Sequence, residues 1–215
     1  MPPSTCHSPL ATVYVVDDDV SFLAAVTRLL RAGGYEVKTF ASAAGFLQCL
    51  PPADSPGCVI VDLQMPGLGG LELQDALTKA DNPLPLVFLT GHGNIPASVH
   101  AMRQGAEDFL TKPVKKQDLF DAVQRALARD ARERTQRARR RRLRARFDTL
   151  TPREREVLGH VLGGQLNKQI AGDLGTSERT IKAHRANLMS KLHVQSVAQL
   201  AQLAHAAGMT TPGLP

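Results

Sequence analysis

The chain has 215 residues, 43% of them hydrophobic, which suffices for one large domain or two modest domains with real cores. Three cysteines, odd in number and without metal-type spacing, favour a reduced cytosolic context over a disulfide framework. No apolar run approaches the ~20 residues of a membrane span, and no basic, apolar leader opens the chain, so a soluble cytoplasmic protein with no membrane partner is expected. The net charge of +6 is unequally shared: residues 1–127 hold 9 basic and 13 acidic side chains, whereas residues 128–215 hold 17 and 7, which suggests a second half that faces a polyanion.

Residues 1–10, rich in proline and serine, read as a loose tail. Thr12-Val13-Tyr14-Val15-Val16 is an apolar run of strand type that ends in Asp17-Asp18-Asp19. Phe22, Val26, Leu29 and Leu30 then recur at helical spacing until Gly33-Gly34. Tyr35 to Phe40 alternates as a second strand, and Ser42 caps a short helix through Leu50 that Pro51-Pro52 breaks. Cys58 to Val61 is a buried strand with Asp62 at its C-terminal tip, followed by a sharp turn at Met65-Pro66-Gly67. A helix with Leu71, Leu73 and Leu77, a strand from Pro85 to Thr90 and a helix from Ile95 to Arg103 follow. A fifth strand, Ala106 to Thr111, ends at Lys112-Pro113, and a helix from Asp118 carries Leu119, Phe120, Val123 and Leu127. Strands and helices alternating five times predict an α/β doubly wound, five-stranded parallel sheet over residues 11–127.

Four strand ends carry polar groups: Asp17-Asp18, Asp62, Thr90 and Lys112. In a parallel sheet these tips border one crevice. Carboxylates held together need a cation, and Mg²⁺ accepts such oxygen ligands, so Asp17, Asp18 and Asp62 are the candidate metal ligands. A hydroxyl and a lysine opposite complete a cradle for a phosphoryl group, with Asp62 as its nucleophile.

Residues 1–127 resemble the receiver domain of two-component response regulators. The match runs through Val16-Asp17-Asp18-Asp19, Val61-Asp62-Leu63-Gln64-Met65-Pro66-Gly67, Leu89-Thr90-Gly91-His92-Gly93 and Asp108-Phe109-Leu110-Thr111-Lys112-Pro113. The resemblance implies that Asp62 takes phosphate from a partner histidine kinase, that Thr90 turns toward it with Phe109 following as an aromatic switch, and that Lys112 pairs with a phosphate oxygen. Phe109 stands where many relatives have tyrosine, so its readout rests on ring packing alone. The rival reading is an aspartyl-phosphate phosphatase of the haloacid-dehalogenase type. It wants a second acid two residues after the nucleophile, and Gln64 occupies that position. The chain is therefore expected to be a regulator and not an enzyme.

Residues 128–146 hold arginine at 132, 134, 137, 139, 140, 141, 142, 144 and 146 among good helix formers, and read as a solvated helical linker. Ala131, Ala138 and Ala145 supply a heptad spacing for a weak coiled-coil seam. From 147 to 210 only helical periodicity is found. Thr151, Pro152 and Glu154 open one helix as a capping box, Asn167 to Leu174 is a second, and Glu178 to Leu192 a third. Ala171, Gly175 and Ile181 fit a helix-turn-helix. On the third helix Ile181, Leu188 and Leu192 share the core side. Arg179, Lys182, Ala183, Ala186, Asn187 and Ser190 lie opposite, suited to the major groove. Thr180, His184, Arg185 and Lys168 are placed for phosphates. No aromatic residue follows Leu150, which disfavours an RNA-binding reading that would stack bases.

This region resembles the LuxR-type helix-turn-helix through Leu150 to Leu158, Asn167-Lys168-Gln169-Ile170-Ala171 and Thr180-Ile181-Lys182-Ala183-His184. Together the two resemblances point to the NarL/FixJ class of response regulators. They imply a transcription factor that dimerises when phosphorylated, reads double-stranded promoter DNA, uses the helix from about Val197 to Ala207 in its DNA-bound dimer, and meets RNA polymerase.

Overall fold

The computed structural model describes residues 11–91 and 95–209. The tail at residues 1–10, His92-Gly93 of the fourth-strand motif and residue 210 lie outside the described residues. The chain divides into two compact units at residues 134 and 135.

In the first unit the strands are β1 (Thr12–Val16), β2 (Glu36–Phe40), β3 (Gly57–Asp62), β4 (Leu86–Thr90) and β5 (Asp108–Thr111). They form one sheet in the order β2-β1-β3-β4-β5, every pair parallel. The helices between them are α1 (Val20–Ala32), α2 (Ala43–Gln48), α3 (Gly70–Lys79) and α4 (Ile95–Arg103), with α5 (Lys116–Asp148) after β5. The two-residue period of each strand sorts its side chains onto opposite faces. Val13, Val15, Ile60, Val87 and Leu89 meet α1 and α5 through Leu23, Val26, Leu30, Leu119 and Val123. Tyr14, Val16, Val59, Val61 and Phe88 meet α2, α3 and α4 through Phe46, Leu73, Leu77 and Ala101. Burial on both faces explains the uninterrupted apolar runs of β1, β3 and β4.

Several element bounds differ from those read in the sequence, each for a local reason. Strand β5 starts at Asp108 and not at Ala106, because Gly105 and Ala106 donate to Met102 O and Ala101 O and finish α4 first. On α1 the buried side chains are Leu23, Val26 and Leu30, while Phe22 is only partly buried. Helix α5 begins at Lys116 and continues unbroken through the arginine-rich stretch to Asp148. Ala131, Ala138 and Ala145 are exposed along it, so their spacing forms no seam within the chain. Asp130, only 2% exposed, is an unexpected buried acid. It accepts from the Gly57 amide at 3.2 Å and from Arg134 Nε at 2.8 Å.

In the second unit the end of α5 joins α6 (Pro152–Leu162), α7 (Asn167–Asp173), α8 (Glu178–Leu192) and α9 (Val197–Ala206). Their core contains Phe147, Val157, Val161, Ile170, Ile181, Leu188, Leu192 and Leu200, with Leu143 packed against it. Arg144 Nε donates to Ala207 O at 2.9 Å, supplying a donor to a carbonyl that the end of α9 leaves without one. Gly175 at φ 60° turns the chain from α7 toward α8, a backbone that glycine adopts without strain.

The capping box of α6 forms as the sequence predicts: Glu154 N donates to Thr151 Oγ1 at 3.3 Å, and Thr151 N to Glu154 Oε2 at 2.8 Å. The Lys191 ammonium at 2.7 Å, together with these amide bonds, holds the Glu154 carboxyl below its ordinary range. A depressed carboxyl adds stability above its unfolded value of 4.5, and that stability is lost as pH falls through the folded value. Glu154→Gln is expected to destabilise the helical unit by about 1 kcal/mol near neutral pH, with the difference vanishing in acid. Hydrogen exchange at Val157 and Leu158 across pH 3 to 7 measures it.

Candidate functional site

The parallel register aligns the C-terminal strand tips: Val16 beside Val61, Asp62 beside Leu89, and Thr90 beside Thr111. Asp17 follows β1, Asp62 closes β3, Thr90 closes β4 and Lys112 follows β5, so four distant segments deliver polar groups to one edge. The sharp turn after β3 is present, with Gly67 at φ 80°. Lys112 Nζ lies 2.5 Å from Asp17 Oδ2 and 2.9 Å from Asp62 Oδ2. Asp17 Oδ1 accepts from the Asp19 amide at 2.9 Å, and Asp62 Oδ1 from the Gln64 amide at 3.4 Å.

Asp17 is 1% exposed and Asp62 9%, while Asp18 faces solvent. Burial pushes the Asp17 carboxyl above its ordinary range, against the Lys112 ammonium and the Asp19 amide, which lower it. For Lys112, burial disfavours the charged form, but the Asp17 and Asp62 carboxylates outweigh it and hold the ammonium above its ordinary value. Asp17, Asp18 and Asp62 each offer a carboxylate oxygen, all within 4.8 Å of one another. Three carboxylates against one ammonium leave excess negative charge among hard oxygen donors, and this donor set fits Mg²⁺.

Thr90 is 1% exposed at the tip of β4. Phe109 is half-buried, its ring stacked on Phe88 at 6.1 Å. Phe22 is a site residue that the sequence reading placed only in the apolar face of α1. Its ring lies 4.2 Å from Lys112 Nζ and helps to hold the ammonium over the carboxylates. Its place one turn into α1, five residues after Asp17, was the available signal.

On α8, Ile181, Leu188 and Leu192 are fully buried. Arg179, Thr180, Lys182, Ala183, Ala186, Asn187 and Ser190 are exposed, and so is Lys168 on α7. His184 and Arg185 are half-buried. Arg185 Nη1 donates to Asn167 Oδ1 at 2.6 Å, which ties α8 to the start of α7. Thr180 sits at the capped N-terminus of α8, its hydroxyl 2.9 Å from that of Ser177.

A doubly wound parallel sheet with an acidic pocket at its C-terminal edge, followed by a helix-turn-helix unit, defines the class of protein. Residues 13–124 match the family model of the response regulator receiver domain, and residues 148–204 that of bacterial regulatory proteins of the luxR family. Nodulation protein W of Bradyrhizobium diazoefficiens is 41% identical over 94% of this chain and 89% of its own length. The transcriptional regulatory protein FixJ of the same organism is 39% identical over 92% and 96%. Among solved structures, the response regulator StyR superposes with a TM-score of 0.75 at 44% identity, covering 91% of this chain and 98% of that one. Full-length FixJ from B. japonicum gives 0.57 at 38% identity, covering 93% and 98%. The chain belongs to the response regulators of the NarL/FixJ class, which join a receiver domain to a LuxR-type DNA-binding domain and regulate transcription. Among the described residues, no helix is long and apolar enough to cross a membrane.

Proposed function

We propose that a sensor histidine kinase phosphorylates Asp62 and that the phosphate switches dimerisation and promoter binding. The observation that carries this reading is the Asp62 carboxylate at a strand tip, bridged to Asp17 through one lysine. An Asp62 oxygen attacks the phosphorus of the kinase's phosphohistidine, and the P–N bond breaks as the imidazole leaves. Asp17, Asp18 and Asp62 would hold Mg²⁺, which neutralises charge on the transferred group. Lys112 exchanges a carboxylate partner for a phosphate oxygen. Thr90 and Phe109 carry the change to α4, β5 and α5, within a receiver spanning residues 11–127.

Residues 128–146 link that receiver to a DNA-binding domain at 147–210. There Arg179, Lys182, Ala183 and Asn187 face the major groove, and Lys168, Thr180, His184 and Arg185 lie toward phosphates. The protein acts in the cytoplasm, on the chromosome, where it meets RNA polymerase.

A small helix-turn-helix contacts few bases, so pairing two copies on a two-fold site multiplies specificity. A shift from monomer to dimer needs only a few kcal/mol of differential stabilisation. Like charges along the arginine-rich stretch of α5 oppose pairing, and salt screens them. Sedimentation of the whole protein with a phosphoryl mimic is expected to show a dimer that strengthens from low to moderate salt, and tighter binding to promoter DNA. A monomer in every condition, with unchanged DNA affinity, would overturn the switch by pairing.

A further inference from the structure

Helix α2 has six residues, about 9 Å of rise, so it covers only part of the β1–β2 face it packs against. Residues 49–56 then lead to β3 as a loop with prolines at 51, 52 and 56. Between this loop and the two strands lies a cavity of about 590 Å³. Small-molecule sites commonly enclose roughly 300–1,000 Å³. Tyr14 pairs with Lys38 across the strands and Val16 with Phe40. The two-residue period therefore sets Tyr14, Lys38 and Phe40 on one face, and all three line the cavity. Neither Asp17, Asp62 nor Lys112 lines it, so the cavity is separate from the acidic pocket.

The lining joins aromatic rings to a single charge. The chain holds two tyrosines, seven phenylalanines and no tryptophan, and three of these rings gather here. The Tyr14 and Phe40 centroids lie 5.5 and 5.2 Å from that of Phe46, which is fully buried. Phe40 is only partly buried, so the ring cluster stays open on the cavity side. Lys38 is exposed and is the one charged residue in the lining. Among the described residues no carboxylate pairs with its ammonium. Glu36, whose charge reaches the Tyr14 phenol, does not line the cavity. Burial holds that phenol above its ordinary value, so Tyr14 stays neutral and brings no negative charge to Lys38. We propose that this cavity binds a small aromatic carboxylate, its ring against Phe40 and Tyr14 and its carboxylate on the Lys38 ammonium. Leu50, Pro51 and Pro56 give the rest of the ring system an apolar wall. This site goes beyond the phosphorylation reading and does not depend on it.

The test is a titration of 2-naphthoate with the intact, unphosphorylated protein at constant ionic strength, followed by the fluorescence anisotropy of the probe. The chain has no tryptophan to interfere. A saturable rise is expected, with NMR shifts at the Lys38 and Phe40 amides. The alcohol 2-naphthalenemethanol, with the same rings and no charge, is expected to bind about tenfold more weakly, because an ionised partner strengthens the hydrogen bond. Lys38→Gln is expected to weaken 2-naphthoate by a similar factor, and Lys38→Arg to retain it. Lys38 is exposed, so neither change should disturb the fold. No saturable rise in the native chain, or equal affinity for the alcohol, overturns the proposal. Undiminished binding by Lys38→Gln overturns it as well, and would place the probe on another cation such as the arginine-rich stretch of α5. Phosphate incorporation on the same samples reports separately on Asp62.

Discussion

Asp62→Asn is expected to abolish incorporation of phosphate from a small phosphodonor with Mg²⁺, while the protein stays folded. The amide has the shape of the carboxylate, and Lys112 keeps Asp17 as its partner at 2.5 Å, so no charge is stranded. The nucleophile is what disappears, since a neutral amide oxygen does not attack phosphorus as a carboxylate does. Native protein should gain one acid-stable, base-labile phosphate, and the phosphate-dependent gain in DNA affinity should vanish with it in the variant. Asp18→Asn separates the metal from the acceptor. Asp18 is exposed, so its loss should leave stability untouched yet weaken Mg²⁺ binding by about tenfold or more, roughly 1.4 kcal/mol. Mass spectrometry of the phosphorylated chain and a Mg²⁺ titration read the two effects. Full incorporation by Asp62→Asn at the same peptide would show that another residue accepts the phosphate.

The second large effect is expected at the exposed face of α8. Lys182→Ala should cost about 1–3 kcal/mol at the cognate site and relax the preference for one base pair, because a base contact carries sequence information. Lys168→Ala, on α7, should weaken all duplexes about equally and shallow the salt dependence, because a phosphate contact acts through counterion release. Neither side chain is buried, so neither change should alter stability. Binding isotherms on cognate and scrambled duplexes at several salt concentrations separate the two. Uniform weakening by Lys182→Ala would make it a phosphate contact and shift the reading face elsewhere on the helix.

Much of the first unit was legible because parallel sheets bury both faces. Runs such as Val13 to Val16 and Val59 to Val61 therefore announce strands without help from distant residues. The capping box at Thr151 and the buried arc of Ile181, Leu188 and Leu192 were legible because they depend on neighbours within one helix. Asp130 and Phe22 were not. Asp130 reads as one charge in an arginine-rich helix, and only the approach of α5 to the start of β3 sets its carboxylate on the Gly57 amide. Phe22 reads as core until β5 delivers Lys112 over its ring.

The sequence alone determined which strands and helices form, their order, and which side chains stand at each strand tip, because those properties follow from period and local chemistry. The order β2-β1-β3-β4-β5, the single lysine shared between Asp17 and Asp62, and the burial of Asp130 against the Gly57 amide were decided by tertiary structure. Each depends on distances between segments tens of residues apart, which packing sets and no local pattern encodes.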